Sequence, residues 1–261
     1  DRYQLLAPAT RPSGATHRSL SIDKINIDGA DLSLHDKKWR TDGVKDDPSG
    51  SGEGGRSVEF SLDIQKDGAP VVQLRRSYRI PKQPITLGRH DLQSEIAVAN
   101  LSEIPHRVIL SYRGGLGVPQ GNPRDDRVID VGLQTAPGRV VGTRKLQHEA
   151  TANAGKSIPL YTPSPAAPDQ RLSWAATGNT YFTCTLAPLA ADGKGPATYL
   201  AEVSAFDADG DAATGDDATL RFVTAPANLP PKERISYTAA IYLGEKDGRA
   251  VQQRHPLVRE A

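Results

Sequence analysis

Apolar and polar residues alternate along much of this chain, which is the pattern of a β-strand with one buried face. The clearest case is the run from residue 57 to residue 65, where the apolar positions are Val58, Phe60, Leu62 and Ile64. Comparable runs predict further strands at 18–27, 71–80, 93–100, 107–112, 128–135, 139–146, 172–176, 180–186, 198–206, 218–224 and 235–243.

Residues that break helices separate these runs. With 20 prolines and 24 glycines in 261 residues, the chain leaves few windows in which a helix could run unbroken. Many strands without intervening amphipathic helices predict antiparallel sheets packed face to face. We therefore expect an all-β fold, a large antiparallel β-sandwich, as one domain over residues 1–261, with two domains as the alternative.

Three segments are predicted to be loops because glycine, proline and small polar residues are concentrated there. They are residues 42–56, 114–127 and 161–170. None of them divides the chain into two parts that could each bury a core of their own.

Charge and cysteine content narrow the function classes. Lysine and arginine total 32 and aspartate and glutamate total 31, so no strong field of one sign favours nucleic acid as a partner. The single cysteine, Cys184, excludes an internal disulfide and a zinc site built from several thiolates. It lies in an alternating apolar run, where a buried thiol acts as a small hydrophobic residue.

Membrane and targeting signals are missing from the sequence as it stands. No stretch approaches the roughly 18 apolar residues of a transmembrane helix, and no secretory signal opens the chain. Methionine is absent even at position 1, which indicates a chain cut from a longer protein.

Two segments resemble ligand-binding loops. Residues 150–157 fit a relaxed Walker A pattern, but Pro159 disfavours the helix that must follow such a loop, so we interpret them as a strand connection. Residues 207–217 are rich in aspartate and resemble a calcium loop. Positions 212 and 218, where an EF-hand would need glycine and glutamate, are alanines, so a solvated hairpin loop is the preferred interpretation, with a weak calcium site as the alternative.

The remaining candidate chemistry is sparse. The histidines are scattered without metal-ligand spacing, and they are His17, His35, His90, His106, His148 and His255. No serine lies in a sequence motif typical of a catalytic nucleophile. A carboxylate pair of the glycosidase type stays open because acidic residues are plentiful. The sequence assigns no catalytic, metal-binding or cofactor-binding residue and predicts no cofactor.

Two regions carry a family resemblance. The first comprises YRIPKQPITL at residues 78–87 and IAVANLSEIP at residues 96–105, a strand followed by a strand that ends in an Asn-centred turn. The second is LSWAATGNTYFTCTLAP at residues 172–188, a tryptophan strand leading to a strand with paired aromatics. Weaker matches are RYQLL at 2–6 and YTAAIYLGEK at 237–246. Together they resemble the periplasmic domain of YidC-type membrane protein insertases.

That resemblance implies a β-supersandwich with galactose-mutarotase-like topology, lacking the membrane-spanning insertase core. It implies a non-enzymatic scaffolding and chaperone domain at the periplasmic face of the bacterial inner membrane. Its partners would be Sec translocon components and nascent membrane proteins, and its role would be in protein transport and membrane insertion. In this interpretation Trp174, Tyr181 and Phe182 are core aromatics.

Two rival functions remain. One is a secreted carbohydrate-binding or mutarotase-like sandwich protein, although aromatic residues, which such sites use, make up only 5% of the chain. The other is an adhesive module of the cell surface, which would occur in tandem copies.

Overall fold

A computed structural model describes residues 9–10, 16–17, 19–47, 55–66, 68–80, 91–115, 128–136, 139–146, 157–179, 181–190, 196–207 and 218–245. In these residues every regular element is a β-strand. The strands are β1 (Ala9–Thr10), β2 (Thr16–His17), β3 (Ile22–Ile27), β4 (Ala30–Ser33), β5 (Arg40–Asp47), β6 (Gly55–Lys66), β7 (Ala69–Ile80), β8 (Asp91–Asn100), β9 (His106–Arg113), β10 (Val128–Ala136), β11 (Arg139–Leu146), β12 (Ile158–Tyr161), β13 (Arg171–Gly178), β14 (Phe182–Leu189), β15 (Leu200–Asp207), β16 (Ala218–Thr224), β17 (Ala227–Leu229) and β18 (Arg234–Glu245). The described part contains no helix long and apolar enough to span a membrane.

Two large antiparallel sheets form the body of the fold. The nine-stranded sheet has the order β11-β10-β13-β14-β18-β8-β7-β6-β5, and the seven-stranded path has the order β12-β15-β16-β9-β3-β4, with β17 also paired to β9. A separate two-stranded sheet joins β1 and β2. The prediction of an all-β, antiparallel sandwich is confirmed.

The core lies between the two large sheets and is built from alternate residues of their strands. Ile25, Leu74 and Leu110 are almost completely buried there, as are Leu186 and Phe222. Each such side chain contributes about 1.5–3 kcal/mol of transfer free energy relative to exposure. Burial of one side of each strand therefore fixes the register, since a shift by one residue would turn these side chains outward.

A second, smaller cluster lies apart from the main core. Trp174, Ala176 and Ala187 are buried in it, with Ala240 packed against them. We call these four residues the tryptophan patch. Because the adjacent Ala175 belongs to the main core, alternation along β13 places the patch on the outer face of the nine-stranded sheet.

Each strand predicted by alternation is present, but several short or polar strands were missed, including β12, which reads IPLY. The predicted loop at 42–56 is wrong in part, because β5 extends to Asp47 and β6 begins at Gly55. Residues 48–54 lie outside the described part. β5 reads RTDGVKDD and lies at the edge of its sheet, where few of its side chains meet the core and no apolar alternation is needed.

Candidate functional site

The outer face of the nine-stranded sheet carries a cleft at its β5 edge. The cavity measures 510 Å³. Its lining, which we call the edge cleft, comprises Arg40, Thr41, Asp42, Gly43, Lys45, Ser57, Glu59 and Ser61. Apart from Gly43, every lining residue has a polar side chain, so the cleft suits a ligand that forms hydrogen bonds rather than an apolar one.

An irregularity in β5 shapes the cleft. The register of β5 against β6 shifts between Thr41 and Val44. Gly43 within this shift has a φ of 81°, a left-handed conformation that a side chain would strain, and its N–H donates to Thr41 Oγ1 at 3.1 Å. A bulge of this kind bends an edge strand and redirects its side chains.

The cations around the edge cleft are already engaged in ion pairs. Arg40 Nη2 lies 2.7 Å from Asp63 Oδ2, and Gln73 Nε2 donates to the other oxygen of Asp63 at 2.8 Å. Lys45 Nζ donates to Asp42 Oδ2 at 2.6 Å. That hydrogen bond and the lysine charge hold the pKa of Asp42 below its usual value. The cleft is therefore close to charge-balanced.

Glu59 is the exception among the carboxylates. Its nearest cationic partner is Arg75, with Nη1 at 3.9 Å from Glu59 Oε1, too far for a hydrogen bond. The Glu59 side chain is 56% exposed. Its oxygens are thus open to a ligand in the cleft.

A second carboxylate lies on the same face outside the edge cleft. Glu59 pairs with Ser77 and Ser77 pairs with Glu95 in the strand register, so the two glutamates share one row across β6, β7 and β8. Glu95 Oε1 accepts hydrogen bonds from Ser236 Oγ at 2.6 Å and from Arg234 Nη2 at 2.5 Å. Unlike Glu59, Glu95 therefore has one carboxylate oxygen bound by two neighbours.

A serine, a histidine and an aspartate meet at another place in the fold. Ser102 Oγ lies 2.9 Å from His106 Nε2, and His106 Nδ1 lies 2.6 Å from Asp28 Oδ2, distances typical of a nucleophile–base–acid triad. The Ser102 hydroxyl is, however, held inside a tight turn. It lies 2.8 Å from Asn100 Oδ1 and accepts from the N–H of Ile104 at 3.3 Å. The group ties the β8–β9 turn to the β3–β4 hairpin, and we assign it that structural role.

The sequence-based candidates have different outcomes. Cys184 is buried, and burial raises the pKa of its thiol to about 12, which agrees with its prediction as a small core residue. Trp174 is buried as predicted, but Tyr181 is 61% exposed and is not a core aromatic. No group of metal-ligating side chains occurs among the residues that the structure describes.

The two loop motifs lie largely outside the described residues. Of the Walker-like segment only Ser157 is described, and of the acidic loop only Asp207. His90, His148 and His255 are outside as well. Conversely, the sequence missed the edge cleft. Its β5 residues fall in or beside the segment predicted to be a loop, and its β6 residues are polar outward positions of a correctly predicted strand.

Comparison with known proteins identifies fold neighbours only. No protein-family model matches the chain, and a search of curated proteins finds no relative. Among solved structures it is similar to a galactose mutarotase-like protein from Clostridium acetobutylicum, at 13% identity over 87% of this chain and 78% of that one, with a TM-score of 0.47. A galactose mutarotase related enzyme from Lactobacillus acidophilus matches at 11% identity over 85% and 78%, with a TM-score of 0.47. A mutarotase-like protein from Lactobacillus casei matches at 10% identity over 87% and 82%, with a TM-score of 0.45.

These neighbours confirm one expectation and contradict others. The galactose-mutarotase-like sandwich is confirmed. The assignment to YidC-type insertases, with its chaperone and membrane-insertion roles, is wrong, because no family model or curated relative supports it and the similar structures are mutarotase-like proteins. The expectation of a non-enzymatic protein is contradicted too, since one neighbour is named an enzyme. The insertase resemblance depended on strand and turn signatures, which large sandwiches of different function share.

Three further expectations stay predictions. They are the single domain over residues 1–261, the periplasmic location and the partners in the Sec translocon. The location and the partners were implied by the insertase resemblance alone and lose that support.

Proposed function

We propose that this chain is a carbohydrate-binding, mutarotase-like sandwich protein that holds a saccharide in the edge cleft. The observation that carries the proposal is the lining of the cleft. It combines hydroxyl groups, carboxylates and cations without an apolar side chain, in a volume of 510 Å³. Small-molecule sites commonly occupy about 300–1,000 Å³.

Charge balance favours a neutral ligand. The cations Arg40 and Lys45 are opposed by the carboxylates Asp42 and Glu59, and both cations are already ion-paired. A phosphate or another anion would need a cation that is free to pair with it. A sugar needs instead a mixture of donors and acceptors, which Thr41, these charged groups and their neighbours supply.

Proton transfer to the bound sugar is a second candidate function, and Glu59 favours it. Opening the ring of an aldose requires a base at the anomeric hydroxyl and an acid at the ring oxygen. Glu59 is exposed and lacks a close cationic partner, so its carboxylate is placed to accept that proton, and water entering the open cleft would donate a proton to the ring oxygen. In this role it would support the interconversion of aldose anomers.

Calorimetric titration with a panel of monosaccharides and disaccharides, galactose included, tests binding. We expect the wild-type protein to bind at least one of them, and Glu59→Gln and Arg40→Gln to lose about 10–100-fold in affinity, the usual worth of a hydrogen bond to a charged group. Glu95→Gln is the matched control, since it makes the same change on the same face outside the cleft. Absence of binding to the whole panel, or equal losses in Glu59→Gln and Glu95→Gln, would refute the proposal.

Polarimetry of fresh galactose solutions tests the catalytic candidate separately. The wild-type protein should accelerate the approach to anomeric equilibrium, and Glu59→Gln should not. If the wild-type protein binds sugar but leaves the rate unchanged, the proton-transfer role fails and the binding function stands.

A further inference from the structure

An arginine lies between the two large sheets. Arg76 follows the inward-facing Leu74 at the next inward position of β7, and it is 4% exposed. Its Nε and Nη1 atoms are buried and have no hydrogen-bond partner in the described part of the molecule. Arginine does not lose its proton in proteins, so a positive charge is held in the core.

Two aromatic rings lie close to this charge. The guanidinium carbon lies 5.1 Å from the centre of the Tyr78 ring and 5.9 Å from that of Tyr112. Tyr112 is itself fixed by stacking on Phe222 at 5.1 Å. Cation–π contacts stabilise the charge, but they do not replace the hydrogen bonds that its N–H groups lose on leaving water.

The nearby tyrosines do not supply a negative charge. Burial raises the pKa of Tyr112 and of Tyr199, and the charge of Arg76 offsets only part of that increase. Both hydroxyls are therefore protonated at neutral pH. No carboxylate forms an ion pair with Arg76 among the described residues.

Most tyrosine hydroxyls near Arg76 are already engaged, and those of Tyr112 and Tyr199 interact with each other. The Tyr78 hydroxyl donates to the carbonyl of Leu20 at 3.1 Å, and the Tyr199 hydroxyl donates to the carbonyl of Thr238 at 2.9 Å. The Tyr237 hydroxyl, in contrast, is buried beside the Thr224 side chain and makes no hydrogen bond of normal geometry in the region described.

Tyr237 and Arg76 lie in one row of the sheet. Arg76 pairs with Ile96 in the strand register, and Ile96 pairs with Tyr237. All three face the core, and the ring of Tyr237 is 5.0 Å from that of Tyr199. The side chains of Arg76 and Tyr237 thus lie on either side of Ile96, both in the space between the two sheets.

We propose that Arg76 and Tyr237 form an internal binding site for a small inorganic anion of the size of chloride. The anion accepts hydrogen bonds from Arg76 Nε and Nη1 and from the Tyr237 hydroxyl, and it neutralises the buried charge. Water could satisfy the same donors but would leave the charge uncompensated. This site is separate from the edge cleft and shares no residue with it.

Chloride titration tests the site, with sodium gluconate holding the ionic strength constant. Because a ligand that binds only the folded state stabilises it, the thermal midpoint of the wild-type protein should rise by about 3–5 °C for each tenfold increase in chloride above the dissociation constant. Chloride NMR should show a broadened line in the presence of the wild-type protein.

Arg76→Met and Arg75→Met form a matched pair. Arg75 is the adjacent residue on the same strand, but its side chain is 47% exposed on the outer face. Arg76→Met should abolish both the chloride dependence and the line broadening, whereas Arg75→Met should keep both.

Tyr237→Phe tests the site without removing its charge. Loss of one donor to an anion should weaken chloride binding by about tenfold or more. A wild-type protein that does not respond to chloride would overturn the proposal, and so would an Arg76→Met protein that responds like the wild type. An unchanged chloride affinity in Tyr237→Phe would show that the Tyr237 hydroxyl does not bind the anion.

Discussion

The tryptophan patch and the edge cleft differ in how their side chains pack, one closed and the other open, although they share a sheet face. Both lie on the outer face of the nine-stranded sheet, and one row of paired residues connects them: Ala187, Ala240, Gln93, Arg79, Ser57 and Lys45. At the β13–β14 end of this row the side chains are small or aromatic and buried. At the β5–β6 end they are polar and line an open cleft.

The difference shows how side-chain size decides what a sheet face can do. Gly132 on β10 pairs with Trp174 on β13, and a Cβ added to Gly132 would lie 2.2 Å from Trp174 Nε1. The indole therefore lies directly over the glycine backbone and closes this part of the face. On the other side, Arg40 pairs with Asp63, while Glu59 and Arg75 stay 3.9 Å apart, and space is left between the side chains.

The largest expected effect on stability comes from disrupting the tryptophan patch, which is the closed end of this row. Trp174→Ala removes a side chain that is 5% exposed, and we expect it to lower the free energy of unfolding by about 3–5 kcal/mol. Arg75→Ala at the open end removes an exposed ion pair and should cost less than about 1 kcal/mol. Urea denaturation of both variants measures the difference. Similar losses in the two would show that the patch contributes no more to stability than a surface ion pair.

The contact between glycine and tryptophan provides a finer test. Gly132→Ala should destabilise the protein by about 1–3 kcal/mol, because the indole must move to admit a methyl group. Gly142→Ala on β11 is the matched control. Gly142 pairs with Gly132, but the nearest atom to its added Cβ, the carbonyl oxygen of Val131, is 4.0 Å away. That variant should change the stability by less than about 0.5 kcal/mol, and equal effects would mean that close packing is not the cause.

Sequence reasoning succeeded where one face of a strand is buried and failed at both ends of this row. Period-two alternation located β6, since its inward residues meet the core and its outward residues meet water. In β13 the residues Trp174, Ala175 and Ala176 are all apolar, so alternation could not show that the strand is buried on both faces. The patch becomes visible only when β14 and β18 are placed beside it.

The edge cleft was missed for the opposite reason. β5 has almost no apolar residues, and its Gly43 and paired aspartates resemble a loop. β4 was missed as well, although the Asp28-Gly29 turn before it, with φ values of 52° and 88°, is a recognised hairpin signal. Pairing with a neighbouring strand, rather than burial, defines such edge strands, and pairing is not visible in a local pattern.

The smallest effect should appear as a pH dependence at Glu95, which lies on the same sheet face between the two ends of the row. The hydrogen bond from Ser236 and the pair with Arg234 hold the pKa of Glu95 below its usual value, although partial burial opposes them. A carboxyl whose pKa is lowered by folding stabilises the protein above its unfolded pKa, and this contribution is lost as the pH falls through the folded value. Because the side chain is 36% exposed, the contribution should be below about 1 kcal/mol. The difference in unfolding free energy between the wild type and Glu95→Gln should therefore shrink between neutral and strongly acidic pH. A difference that stays constant over that range would show that folding does not perturb the pKa of Glu95.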